Sequence, residues 1–250
     1  MRFFFSLLAA MALLLHPIAA QAVSVTPIVV DLEAAGSGSA KSIAVTNPTE
    51  RPMPIEITVE EITIDEIGTI VSAVDAGDDF IILPPQTTIP AGDTQNFRIQ
   101  YLGEPDLQQG KLYRFAVNQI PVPTEENGAF QVQVVYSITG LATLSPLQSA
   151  AQIAVVAQSV VLDDNGEPRA SITLENTGNK PAYFSRGALD IKQVSASGET
   201  LWRENLPPSR IEREIGFGIL MPNQTRTFVL PYALPSSDGI VEAEFELLRG

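Results

Sequence analysis

The chain has 250 residues, 45% of them hydrophobic and 18% charged, with no cysteine and a single histidine. That is a globular composition, long enough to bury one large core or two ordinary ones. Fifteen Lys and Arg against 29 Asp and Glu give a formal charge of -14, which repels nucleic acid and anionic membrane surfaces.

Met1 and Arg2 make a short positive start, Phe3 to Leu15 a mostly apolar run, and Ala20-Gln21-Ala22 a small-x-small cleavage signal. Residues 1–22 therefore read as a secretory signal peptide whose apolar run is too short to span a bilayer. The mature chain is expected to be exported, with no stable membrane insertion. Cleavage also removes His16, leaving neither imidazole nor thiol. Cysteine nucleophiles, thiolate or imidazole metal sites and the Ser-His-Asp triad are excluded on that reading. No cofactor, metal site or catalytic residue is expected.

After residue 22 the hydrophobic period is two. Ile55, Ile57 and Val59, then Ile62 and Ile64, alternate with polar residues, as do Phe97, Ile99 and Tyr101. The change of phase at Glu60-Glu61 predicts a β-bulge there. Turn signals at Gly36-Ser37-Gly38, Asn47-Pro48, Asp65 to Gly68, Asp75 to Asp78, Pro84-Pro85, Pro90 to Gly92, Asp164 to Gly166 and Asn176 to Gly178 separate the strands. Val155-Val156 and Val160-Val161 favour a strand over Ala150 to Leu162, and no stretch of the mature chain reads as a helix. The fold class is all-β: two tandem immunoglobulin-like β-sandwich domains after a signal peptide. The division near Leu144-Ser145-Pro146-Leu147 gives 1–22 as signal peptide, 23–146 as the first domain and 147–250 as the second. Ile43 to Asn47 and Ile172 to Asn176 both run a strand into an Asn-led turn, and Pro90 to Phe97 resembles Pro222 to Phe228.

Most candidate sites have a plainer reading. Asp163 to Glu167 is oxygen-rich, but it lacks calcium-loop spacing and Asn165-Gly166 is a hairpin signal. Asp75, Asp78 and Asp79 read as a solvated loop, Trp202 as core packing, and the neighbours Lys41 and Ser42 point to opposite faces of a strand. The segment from Phe130 to Ser145 is more informative. Phe130, Val132, Val134, Tyr136 and Ile138 share one face, with Gln131, Gln133, Val135, Ser137 and Thr139 on the other. Such a strand either closes its own core or offers backbone and alternate apolar side chains to a guest chain.

Five segments, in order and spacing, resemble the periplasmic pilus-assembly chaperones: Val25-Thr26-Pro27-Ile28-Val29-Val30, Ile43 to Pro48, Phe80-Ile81-Ile82-Leu83-Pro84-Pro85, Gln95 to Ile99, and Leu112 to Pro121. Leu174 to Asn179 and Leu220 to Phe228 extend the resemblance into the second half. It implies two immunoglobulin-like domains set at an angle, with a cleft for a pilus or fibre subunit that lacks its last strand. The chaperone's own last first-domain strand would complete that subunit, by strand addition of the kind for which chaperone and pilin are a standard example. On this sequence the subunit-binding positions are Val132, Val134 and Tyr136, flanked by Phe130 and Ile138. The resemblance further implies the periplasm as location and an outer-membrane usher as second partner.

The family also carries an Arg on the first strand and a Lys on the last that hold the subunit's terminal carboxylate. Here the matching positions are Pro27 and Leu141, or Gly140 after a shift of one, and none can pair with a carboxylate. Arg98, Arg114 and Lys111 are substitutes by charge alone. An acidic residue expected at Gly110 and a basic one at Ser145 are missing as well. Two other classes stay open: a structural or adhesive surface module whose last strand is covered by its own domain, and an enzyme using paired carboxylates.

Overall fold

The computed structural model describes residues 22–122 and 135–248. The signal peptide, save its last residue, lies outside the described residues, as do Phe130, Val132 and Val134. The first half carries ten strands: β1 (Ser24–Thr26), β2 (Val29–Glu33), β3 (Ala40–Thr46), β4 (Met53–Ile64), β5 (Ile70–Asp75), β6 (Phe80–Leu83), β7 (Gln86–Ile89), β8 (Thr94–Tyr101), β9 (Lys111–Gln119) and β10 (Ser137–Ser145). They form two sheets, ordered β1-β3-β8-β6 and β2-β10-β9-β4-β5, with β7 also on β4. Alternate residues of both sheets meet between them: Ile43, Val45, Phe97 and Ile99 face Ile55, Ile57, Val59, Phe115, Val117, Ala142 and Leu144.

The second half follows with β11 (Ile153–Leu162), β12 (Pro168–Asn176), β13 (Ala182–Tyr183), β14 (Gly187–Val194), β15 (Thr200–Leu206), α1 (Pro208–Glu214), β16 (Ile219–Leu220), β17 (Gln224–Ala233) and β18 (Ile240–Leu247). Sheets β11-β12-β17 and β15-β14-β18 enclose a second core around Ile172, Leu174, Phe184, Leu189, Ile191 and Leu230. The segment from Ile153 is a strand, as its β-branched pairs predict. The architecture is the two-domain, all-β immunoglobulin-like fold.

The two halves use one device twice. Asn47 and Asn176 are both fully buried. Asn47 Nδ2 donates to the carbonyls of Arg51, Ile89 and Pro90, and its Oδ1 accepts from Thr49 N–H. Asn176 Nδ2 donates to Lys180 and Leu220, and its Oδ1 accepts from Gly178 and Gln152 N–H. Each side chain satisfies loop backbone that has no ladder partner. The similarity of these two segments in the sequence is therefore architectural.

Two expectations are corrected. The β4–β9 register runs unbroken from Ile55↔Gln119 to Glu61↔Tyr113, so no bulge sits at Glu60-Glu61. Ile62 and Ile64 fall on the outer face of the sheet, opposite to Ile55, Ile57 and Val59. They are buried there against Leu112, Tyr183 and Ile219, a cluster that joins the two domains. The change of hydrophobic phase records a change of the buried face, from own core to neighbouring domain. A register shift does occur further on, between Thr63↔Ser72 and Ile64↔Ile70, where the extra residue is Val71 of β5. The second correction is α1. Its signals, Pro208 in the first turn and an Arg210–Glu214 pair at i,i+4, are too short for a periodicity reading.

Backbone and side-chain bonds also cross between the domains. Gly110 N–H donates to Asn179 O at 2.9 Å, and a Cβ on Gly110 would lie 2.2 Å from Pro181. The acidic residue expected there has no room, because backbone contact has taken its place. Thr227 N–H donates to Glu66 O, and Gln224 Nε2 to Ile64 O at 2.7 Å. Arg226, only 8% exposed, reaches from β17 to the carbonyls of Ile219 and Ile67.

Candidate functional site

The strand on which the sequence places the site, β10, has two unlike halves. From Leu141 to Ser145 it lies between β9 and β2, with Leu141↔Val29 through Ser145↔Glu33 in parallel register. From Ser137 to Gly140 it pairs β9 alone. The fork is at Gly140, beside which Leu141 N–H donates to Ile28 O at 2.9 Å. A Cβ on Gly140 would lie 2.6 Å from that carbonyl and 2.1 Å from the Phe115 ring. Only glycine fits where the strands part.

Two bonds fix the phase of the ladder. Gln119 N–H donates to Tyr136 O at 2.8 Å, so the even residues of β10 bond β9, and Leu141 turns its backbone the other way, to Ile28. By alternation Ser137 and Thr139 turn their N–H and C=O to that same flank, where no strand pairs them among the described residues. The even side chains face the core. Leu144 and Ala142 are fully buried, Ile138 packs on the core's margin, and Tyr136 is 36% exposed. The apolar row leaves its own core just where the strand loses its second neighbour. Of the five expected positions, Tyr136 and Ile138 are thus placed, and Phe130, Val132 and Val134 lie outside the described residues.

The covered half of β10 is pinned to the second domain. Thr143 Oγ1 donates to Asp31 Oδ1 at 2.8 Å and lies 3.2 Å from the Tyr183 hydroxyl, which also donates to Asp31. Arg186 pairs with the other Asp31 oxygen and stacks over the Tyr183 ring at 4.1 Å. Burial pushes the Asp31 carboxyl up, but the hydrogen bonds from Tyr183, Arg186 and Thr143 outweigh it and hold it below the usual aspartate value. Burial, followed by the nearby Asp31 charge, pushes the Tyr183 hydroxyl well above its ordinary value. Sequence reasoning missed this group, because nothing in alternation or spacing joins Asp31 to a tyrosine and an arginine of the other domain.

The three cations that charge alone suggests, Arg114, Lys111 and Arg98, are already bonded to neighbours on their own sheets. Arg114 stands beside Leu141 on the outer face and donates through Nε to Glu60 at 3.0 Å. Lys111 pairs with Glu61 at 2.9 Å, and Arg98 is an exposed residue bonded to Gln100. Each therefore reads as a strand-face charge. Asp163 is used up in its turn, accepting from Asn165 and Glu167 N–H and pairing Arg169. Trp202 packs on the second core, its ring 6.0 Å from Tyr232. Among the described residues no cluster of acidic side chains is arranged to hold a metal ion.

Residues 22–139 match the pili and flagellar-assembly chaperones, PapD N-terminal domain. No curated protein matches the chain in sequence. Three solved structures share its fold, each with a TM-score of 0.50. The class 5 fimbriae chaperone CfaA is 15% identical over 89% of this chain and 99% of its own. The YadV chaperone is 12% identical over 91% and 100%. A chain from a chaperone–tip adhesin complex of CFA/I fimbriae biogenesis is 14% identical over 90% and 99%. Residues 22–139 thus carry the N-terminal domain of pilus-assembly chaperones, and the chain as a whole has the two-domain fold of the solved chaperones.

Proposed function

We propose that the chain stabilises pilus or surface-fibre subunits by donor-strand complementation, without enzymatic chemistry, through residues 130–138. Ser137 and Thr139 offer backbone donors and acceptors to the subunit. Phe130, Val132, Val134, Tyr136 and Ile138 supply the alternate apolar side chains, each contributing about 1.5–3 kcal/mol when fully buried. The supporting observation is the open flank of Ser137–Gly140, coinciding with the point at which the apolar row leaves its own core. An adhesive or structural module calls for a last strand covered on both flanks, and this half is covered on one. The reading includes cleavage of residues 1–22, action in the periplasm, domains divided at 146/147, and delivery of the complex to an outer-membrane usher.

Co-expression with a pilus subunit and purification on a tag carried by this chain tests it. The subunit is expected to co-purify, and Tyr136→Glu or Val134→Glu to lower its recovery at least about tenfold with the melting temperature unchanged. Undiminished recovery with both variants contradicts the proposal.

A further inference from the structure

The other end of the same sheet is open too. β5 pairs β4 from Glu60↔Asp75 to Ile64↔Ile70, and no strand pairs its far side among the described residues. Ala76 N–H donates to Val59 O at 3.0 Å, which sets the phase of this ladder and turns the backbone of Ala73 and Asp75 outward. Every residue of β5 is exposed, including Ile70, Val71 at 61% and Val74 at 62%, and Ile67 in the preceding turn is exposed as well. Residues 70–74 contain no charge and no proline, two of the features with which native sheets block such edges, and the one irregularity is the extra residue Val71, which leaves the ladder from Ser72 to Asp75 regular.

This edge is held firmly. The turn before it receives Thr227 N–H and Gln224 Nε2 from the second domain, and Arg226 Nη2 bonds Ile67 O at 3.3 Å. Gly68, at φ +91, leaves the room that the guanidinium occupies, since a Cβ there would lie 2.2 Å from Nη2. A partner that docks on a preorganised strand has little ordering entropy to overcome.

Charge identifies the occupant. Asp65 and Glu66 precede the apolar stretch, and Asp75, Asp78 and Asp79 follow it. A second copy of this chain is disfavoured. Antiparallel self-pairing sets Asp65 and Glu66 beside Asp75 and Asp78 of the other copy, and parallel self-pairing sets each acid beside its own duplicate. Both would join molecules of formal charge -14. We infer that β5 is a second docking edge, which takes an extended segment of another protein with alternating apolar residues in its middle and Lys or Arg at both ends. β5 and β10 stand three strand spacings apart, about 14 Å, so both edges can be occupied at once. The inference goes beyond subunit capture and does not rest on it.

The test uses a labelled peptide, Lys-Lys-Thr-Val-Thr-Val-Thr-Lys-Lys, and a control with Glu in place of each Lys. The lysine peptide is expected to bind the purified chain saturably, at least about tenfold more tightly than the control, and to weaken as salt rises to about 0.5 M. Ala73→Pro removes an outward donor and leaves the β4 ladder intact, and Val71→Lys sets a like charge against the probe. Each should abolish binding at unchanged melting temperature, with Val71→Lys deciding alone if the proline lowers stability, and Tyr136→Glu should leave binding intact. Equal binding of both peptides, undiminished binding by Val71→Lys, or a dimer of this chain that Val71→Lys dissociates overturns the inference.

Discussion

Asp31 stands where the root of β10 meets the second domain, and its charge is what Tyr183, Arg186 and Thr143 hold in place. Its folded-state pKa lies below the unfolded one. The stabilisation it provides is therefore fully present above the unfolded value of about 3.9 and disappears as pH falls through the folded value. Solvent screens this half-exposed carboxyl, so Asp31→Asn is expected to cost about 0.5–1 kcal/mol at pH 7. Urea melts of both proteins should differ at pH 7 and converge as pH falls through the lowered folded-state value of Asp31; a gap that persists in acid would assign the loss to packing instead. Asp31 and Arg186 are 155 residues apart, and no local pattern in the sequence pairs them. Asn47 and Asn176 were legible because each acts on turn backbone within a few residues of itself.

At the scale of elements, strand alternation carried most of the fold. β4 is where it misled, since the jump from Val59 to Ile62 suggests an inserted residue when the same ladder continues and a neighbouring domain covers its other face. Period two reports which face is buried, not what buries it. In β10 the apolar alternation marked the strand, while the fork that opens its flank depends on Gly140, whose small size carries no periodic signal. Gly140→Ala is expected to destabilise the first domain by about 1–3 kcal/mol, because the new methyl group meets the Phe115 ring and the Ile28 carbonyl. Denaturant melts measure this directly, and an unchanged midpoint would show that the fork tolerates a side chain.

Across the whole molecule, the second domain acts as a mount. The cluster of Ile62, Ile64, Leu112, Tyr183 and Ile219, the Arg226 clamp on the β4–β5 turn and the Asp31 group together fix both ends of one sheet. At Gly110, where the family resemblance implies an acidic residue, close backbone contact joins the domains, and the Asp31–Arg186 pair joins them beside β10, contacts visible only when the chain is folded. Held this way, β10 keeps its register on β9 while its open half stays available. Residue-resolved hydrogen exchange on the chain alone and with a bound pilus subunit probes that availability most directly. The amides of Ser137 and Thr139 should exchange fast in the free protein and become protected in the complex, with Leu141 protected in both. Protection of Ser137 and Thr139 in the free chain, or its absence in the complex, would contradict capture through this strand.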